Sequence, residues 1–158
     1  MLEVEKLFQK FTYDRLDAEF NTQHGYVIPG RILIRDDSSI MVSPEMYEEF
    51  IRPYDLEVLK QVGSGSIHFC GNGQHLVKKM LEVPYLKGLD FGQPECMDIS
   101  YIYDICREGK VAITNIRPSR ESLISGDAIR EFPTGVLFVY HTSDFEDAKN
   151  VVQSYKKS

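Results

Sequence analysis

Short runs of consecutive apolar residues alternate along this chain with longer stretches in which apolar positions recur every three or four residues. The short runs fit buried strands and the longer stretches amphipathic helices. Val4, Leu7, Phe8 and Phe11 predict a first helix over residues 3–20. Asn21 to Gly30, rich in Gly and Pro signals, reads as a loop. Arg31 to Asp36 then predicts a strand. Ser43-Pro44 is a helix start, because Ser caps and Pro is preorganised at the first helical position. That helix continues through Met46, Phe50, Ile51, Tyr54 and Val58, with a kink or break expected at Pro53.

The alternation then repeats. Ser66 to Cys70, Leu86 to Phe91, Val111 to Ile116 and Val136 to His141 predict strands. Gln74 to Leu81, Ile99 to Arg107 and a short segment around Glu121 to Ile124 predict the intervening helices. Phe145, Ala148, Val151, Val152 and Tyr155 make a final amphipathic one. Five strands, each followed by a helix, imply an α/β fold with a parallel sheet covered by helices. An open doubly wound sheet and the larger part of an eight-stranded barrel both fit that count. A Rossmann-type reading is weakened by the turn after the first strand. Asp36-Asp37-Ser38-Ser39 is acidic and lacks Gly, so it repels phosphate.

A length of 158 residues suits one domain with a real core. The net charge of -6 gives no electrostatic case for nucleic acid or an anionic membrane as partner. No apolar run long enough to span a bilayer is present, and Met1 to Glu5 has no signal-peptide pattern. Three cysteines without disulfide-like spacing fit reduced thiols and a cytoplasmic setting.

The segment Ser66-Ile67-His68-Phe69-Cys70-Gly71-Asn72-Gly73 carries the candidate chemistry. Strand residues alternate faces, so Ser66, His68 and Cys70 point one way and Ile67 and Phe69 the other. His68 and Cys70 then emerge side by side at the C-terminal end of a strand, where α/β proteins place their sites. Taken alone, the pair fits equally a buried histidine with a backbone partner and a small buried thiol. Asp36 and Asp37 end another strand, where one could orient a ligand or act as a general acid, or Asp37 could simply organise the turn before Ser43. Asp90 alternates with Leu89 and Phe91 and is expected to face inward, paired or hydrogen-bonded, as a site wall. Asn115 ends a strand and is expected on the face of Val111 and Ile113, as a hydrogen-bonding residue for substrate. His24 and His75 read as surface residues, and Cys106 as core.

Several blocks, in order, resemble the uroporphyrinogen decarboxylase superfamily, which includes cobalamin-dependent methyltransferases. Asp37-Ser38-Ser39-Ile40-Met41-Val42-Ser43-Pro44 through Phe50-Ile51-Arg52-Pro53-Tyr54 resembles the family's acidic strand end, Ser-Pro helix start and Phe-x-x-Pro-Tyr. His68-Phe69-Cys70-Gly71 resembles the His-x-Cys-Gly segment of the methyltransferase branch, and Asn115-Ile116-Arg117-Pro118 a Gly-Asn-Leu/Ile-x-Pro segment with Thr114 in place of Gly. Val136 to Thr142 sits where the family has its last strand and turn. The likeness covers about residues 28–155.

The resemblance implies the C-terminal portion, about five βα units, of a (β/α)8 barrel of the uroporphyrinogen decarboxylase and methionine synthase type. It implies zinc held by His68 and Cys70, with His141 at the position of the third ligand, and Asp37 and Asn115 positioning an acceptor; Cys96, in the loop after Leu86 to Phe91, could by its position also reach the mouth and replace the third ligand. The implied reaction passes a methyl group between a corrinoid, on a partner protein, and a thiol-type acceptor. Decarboxylation of a porphyrinogen is the alternative activity, and a non-catalytic barrel fragment the alternative class. A sheet cut from a barrel has two unpaired edges, so self-association or a chain supplying the missing strands is expected. His141 can reach His68 across the mouth of a closed barrel but need not do so in an open sheet.

Overall fold

The computed structural model describes Glu3 and residues 19–156. The helix expected over 3–20 falls almost wholly outside the described residues, and Phe20, its last position, instead opens a strand. β1 (Phe20–Gln23) and β2 (Tyr26–Pro29) pair as an antiparallel hairpin in register Phe20↔Pro29 and Gln23↔Tyr26. This corrects the loop expected over 21–30. The Gly and Pro signals there mark a two-residue turn and the end of a strand. His24 and Gly25 both have positive φ, 53° and 85°, which is the backbone twist that tight hairpins require.

The main sheet has five parallel strands: β3 (Leu33–Arg35), β4 (Gly65–Phe69), β5 (Leu86–Phe91), β6 (Ala112–Ile116) and β7 (Val136–Phe138). Their spatial order is their chain order, with parallel pairing throughout. Right-handed crossovers between successive neighbours all return over the same face. The helices that connect β3 to β6 accordingly share one core with one side of the sheet, and those after β6 bury Leu123, Ala128 and Val151 in a second, smaller cluster. Ile67, Phe69, Leu89, Phe91 and Ile113 meet Tyr47, Leu59, Val77, Met80, Ile102 and Cys106 in the first. A doubly wound sheet would instead reverse its order and carry helices on both faces. Nor does the sheet close: β3 and β7 are its edges. The α/β fold and the run of partial βα units are as expected, and the ring is open.

The helices follow the predicted starts. Ser43 accepts from the Met46 amide and opens α1 (Pro44–Met46), which runs through a π-helical stretch at Tyr47–Ile51 into α2 (Arg52–Val62). The wider winding ends where Pro53 enters, so the missing N–H changes the pitch without stopping the helix. α3 (Val77–Leu81) and α4 (Ile99–Gly109) follow β4 and β5. The short helix expected near residue 121 is a pair, α5 (Arg120–Ser125) and α6 (Asp127–Glu131), and α7 (Phe145–Tyr155) closes the described chain. The last strand stops at Phe138, short of the expected His141.

The face away from the helices bears small and polar side chains. The register aligns Ser66 with Gly88 and Leu33, and His68 with Asp90 and Arg35. Asp90 in turn aligns with Thr114. The hairpin lies on this face. Ser66 donates to the Pro29 carbonyl at 2.6 Å. Gly30, at φ 85°, lets the backbones touch: a Cβ there would stand 2.5 Å from the Gly65 Cα.

Beneath the helices lies a buried acid. Asp55, 5% exposed, accepts from the Tyr47 hydroxyl at 2.7 Å. Burial pushes its carboxyl up to about 7; the Tyr47 bond partly offsets this, and the Asp36 carboxyl adds to it. A carboxyl raised on folding stays protonated in the native state while the unfolded chain releases its proton. Stability from this group is therefore full below the ordinary value of 3.8 and falls as pH rises to about 7. Asp55→Asn is expected to flatten the decline and to stabilise the protein above neutral pH by on the order of 1–3 kcal/mol. Denaturant titrations of both proteins across this range check it; superimposable pH profiles contradict it.

Candidate metal centre

Backbone pairing brings the site together at the C-terminal ends of β3 and β4. The Asp36 amide donates to the His68 carbonyl at 2.8 Å, extending the ladder one residue past β3. That sets Asp37 beside Cys70, whose amide donates to Asp37 Oδ1 at 2.8 Å. His68 Nε2 lies 3.6 Å from Asp37 Oδ1 and 3.4 Å from Cys70 Sγ. Asp37, His68 and Cys70 thus offer a carboxylate, an imidazole and a thiol whose ligand atoms all lie within 4.8 Å of one another. Gly92 leaves room for the thiol, since a Cβ there would fall 2.3 Å from Cys70 Sγ.

The other nitrogen of His68 faces inward. Its Nδ1 is 2.6 Å from Asp90 Oδ2, and Asp90 is fully buried. Asp90 Oδ1 accepts from the Tyr26 hydroxyl at 2.8 Å and from Thr114 Oγ1 at 2.6 Å. Burial pushes the Asp90 carboxyl up, but the bonds from His68, Thr114 and Tyr26 outweigh it and hold its pKa below the usual carboxylate value. Asp90 is therefore ionised and acceptor-only. Against that acceptor His68 Nδ1 is the donor, and the ring so held turns Nε2 toward Asp37 and Cys70.

Cys70 is tuned differently. Burial and the neighbouring Asp37 carboxylate both push its thiol pKa up, and Arg117 pulls the other way. In the metal-free molecule the thiol is protonated at neutral pH. A cation between the thiol and Asp37 reverses that logic, because a coordinating thiol deprotonates.

His24 and Tyr26 adjoin the cluster, a placement that the sequence did not announce. His24 is exposed, as expected, and its ring also meets His68 edge-on with centroids 5.2 Å apart, with Nδ1 3.5 Å from Asp90 Oδ2 and Nε2 against the Arg35 guanidinium. His24, His68 and Asp90 form a second group with ligand-type spacing. Their shared oxygen is already occupied by the His68 Nδ1 proton, so the outward group is the better cation site. The available signal was the alternation Tyr26-in, Val27-out, Ile28-in, with Ile28 fully buried and Val27 46% exposed.

Two expected residues do not join the site. Asn115 has φ 68°, and the β6–β7 register shifts between Ile113 and Ile116. This bulge removes it from the expected face of Val111 and Ile113. Its Nδ2 donates to the Phe91 carbonyl at 2.7 Å and its Oδ1 accepts from Arg117 at 3.2 Å, so it ties β5 to β6 as a structural residue. His141 lies beyond β7, three strands from β4, and belongs to neither ligand group among the described residues. Strands about 4.8 Å apart put some 14 Å between those two positions in an open sheet. The geometry brings Asp37, not His141, to His68 and Cys70. Cys96 is an exposed free thiol outside both groups, and Cys106 is core, as expected.

Among the described residues, no helix is long and apolar enough to cross a membrane. No family model matches the chain, and neither a curated protein nor a solved structure matches it.

Asp90→Asn replaces an acceptor of several donors by a group that must itself donate. Loss of on the order of 2–4 kcal/mol of stability is expected, from stranded buried donors. His141→Gln is expected to stay within about 0.5 kcal/mol of the parent. Urea unfolding of both variants checks this; equal stability of Asp90→Asn and the parent contradicts it.

Proposed function

We propose that this chain binds one zinc-class ion through Asp37, His68 and Cys70 and uses it in methyl transfer to a thiol. The observation that carries the reading is the spacing of the donor atoms. Tetrahedral bonds of about 2.0–2.3 Å put donors roughly 3.3–3.7 Å apart. Sγ to Nε2 is 3.4 Å and Oδ1 to Nε2 is 3.6 Å. A mixed sulfur, nitrogen and oxygen set suits zinc among the available divalent ions. Three protein donors leave one position for a substrate, the arrangement of catalytic rather than structural sites. The buried Asp90 behind His68 is the usual carboxylate support of a ligating imidazole.

The chemistry such an ion supplies is activation of a thiol, whose proton it displaces so that sulfur attacks as the thiolate. The chain's own residues do the rest. Asp90 holds the His68 proton on Nδ1. Asp37 contributes the negative charge that a cation needs beside Cys70. Resemblance to the corrinoid-linked branch of the uroporphyrinogen decarboxylase superfamily supports the methyl group as cargo and a corrinoid protein as its carrier. The open sheet is read as the C-terminal part of that family's barrel, its β3 and β7 edges covered by a partner chain or a second copy. Porphyrinogen decarboxylation, the family's other activity, has no use for a thiol at residue 70.

One observation favours a second reading. Cys70, His68 and Asp90 line up as thiol, base and orienting acid, at 3.4 Å and 2.6 Å. That is the alignment of a covalent nucleophile. Asp37 opposes it, because an ion-free thiol beside a carboxylate is held protonated.

Cobalt substitution separates the two readings. The metal reading expects about one Co2+ per chain, with sulfur-to-metal charge-transfer absorption that Cys70→Ala abolishes. Asp37→Asn is expected to weaken affinity at least about tenfold, and His141→Gln to leave it unchanged. Absence of binding, or full retention in Cys70→Ala, contradicts the reading. Rapid alkylation of Cys70 in metal-free protein, lost in His68→Gln, would favour the nucleophile instead.

A further inference from the structure

We propose a second binding site in this chain: a cationic cavity at the N-terminal ends of β5 and β6 that takes a phosphate dianion, free or at the end of a small phosphomonoester. It lies at the opposite end of the sheet from Asp37, His68 and Cys70 and is independent of any metal there. The cavity measures about 280 Å³. Its charged walls are Lys87 of β5, Arg107 of α4 and Lys110 just beyond that helix, and no acid lines it.

Unpaired positive charge is unexpected in a chain with 24 acids against 18 bases. Arg52, Lys79, Arg120, Arg130 and Lys149 each meet a carboxylate. Among the described residues Lys87, Arg107 and Lys110 form no ion pair. Asp104 and Glu108, acids of the same helix, stay outside the walls. Nor do the cations cap the helix end, because backbone amides already do so. The Lys110 amide donates to the Arg107 carbonyl at 3.2 Å and the Val111 amide to the Cys106 carbonyl at 2.9 Å.

The floor of the cavity points to a ligand independently. Tyr103 is 6% exposed and lines it, and its hydroxyl is buried without a hydrogen-bond partner among the described residues. Phe132 meets the Tyr103 ring edge-on at 5.1 Å, and the Arg107 guanidinium carbon stands 5.7 Å from the ring centre. The ring is thus clamped, with a cation held against it. A buried hydroxyl left unpaired costs stability, so this one is a donor short of an acceptor. Burial pushes the Cys106 thiol up to about 12, so it stays uncharged and brings no negative charge to the floor. Three cations and one neutral donor match a doubly charged tetrahedral oxyanion. The guanidinium fork spans two oxygens, the lysines act as point charges and the hydroxyl donates to an oxygen. A carboxylate carries one charge and two oxygens and would leave donors unused. The volume leaves room for a short organic tail beside the phosphate.

The test is calorimetric titration of the full chain in phosphate-free buffer at low salt, where charge is least screened. Inorganic phosphate and glycerol phosphate are each expected to saturate at one per chain. Acetate is expected to bind at least about tenfold more weakly. Tyr103→Phe removes only the hydroxyl. It is expected to melt at or above the parent's temperature while binding phosphate about tenfold more weakly. Lys110→Asn removes a charge, suits the left-handed backbone at φ 56° and is expected to lose a similar factor. Cys70→Ala, at the other end of the sheet, is expected to bind phosphate as the parent does. Thermal melts establish that each variant folds; if one does not, the other carries the test. Tighter binding of glycerol phosphate than of phosphate upholds the site with a monoester as its ligand, and equal or weaker binding upholds it for the free ion. Unsaturable binding shared with acetate, or full affinity in a folded Tyr103→Phe or Lys110→Asn, overturns the inference.

Discussion

The buried carboxylate of Asp90 is the constraint around which this molecule is arranged. An ionised group with no solvent exposure is costly unless it is surrounded by donors. Here the donors come from three separate places: the hairpin through Tyr26, β4 through His68 and β6 through Thr114. Each is ordered by backbone pairing before it reaches the acid. Parallel register aligns His68, Asp90 and Thr114 across the sheet, and the hairpin brings Tyr26 onto them from above. The same contact that solves the desolvation problem also fixes the direction of the His68 ring. Stability and chemistry thus share one carboxylate.

The sheet explains why the site is polar and the opposite face is not. A monotonic strand order with crossovers of one hand sends the helices between β3 and β6 to one side, where Phe69, Phe91 and Ile113 form the core. The other side is freed for Ser66, His68, Asp90 and Thr114. In a closed ring this would be the interior. In the open sheet the hairpin occupies part of that space, and the Gly30–Gly65 approach shows how closely it fits.

Much of this was legible in the residues. Apolar runs located the five strands to within a few positions, and Ser43-Pro44 located a helix start. Period-two alternation put His68 on the polar face and Ile67 and Phe69 in the core. The inward direction of Asp90 followed from the same rule. What was not legible depended on contacts distant in sequence or on local backbone choices. Nothing in Tyr26 announces a partner on β5. His24-Gly25 turns a hairpin, although the neighbouring Gly and Pro signals read equally as loop. The left-handed Asn115 shifts a register that simple alternation assumes is unbroken. His141 was assigned a role that required closure, and the open edge at β7 keeps it from His68. Asp37 was read as a positioning acid, and the ladder bond of Asp36 to β4 brings it to ligand distance.

X-ray absorption at the zinc edge of the loaded protein tests the central claim most directly. A site built from Asp37, His68 and Cys70 predicts one sulfur neighbour at about 2.3 Å and nitrogen or oxygen neighbours at about 2.0–2.2 Å, with the sulfur absent in Cys70→Ala. A first shell of oxygen and nitrogen alone in the parent protein would contradict it.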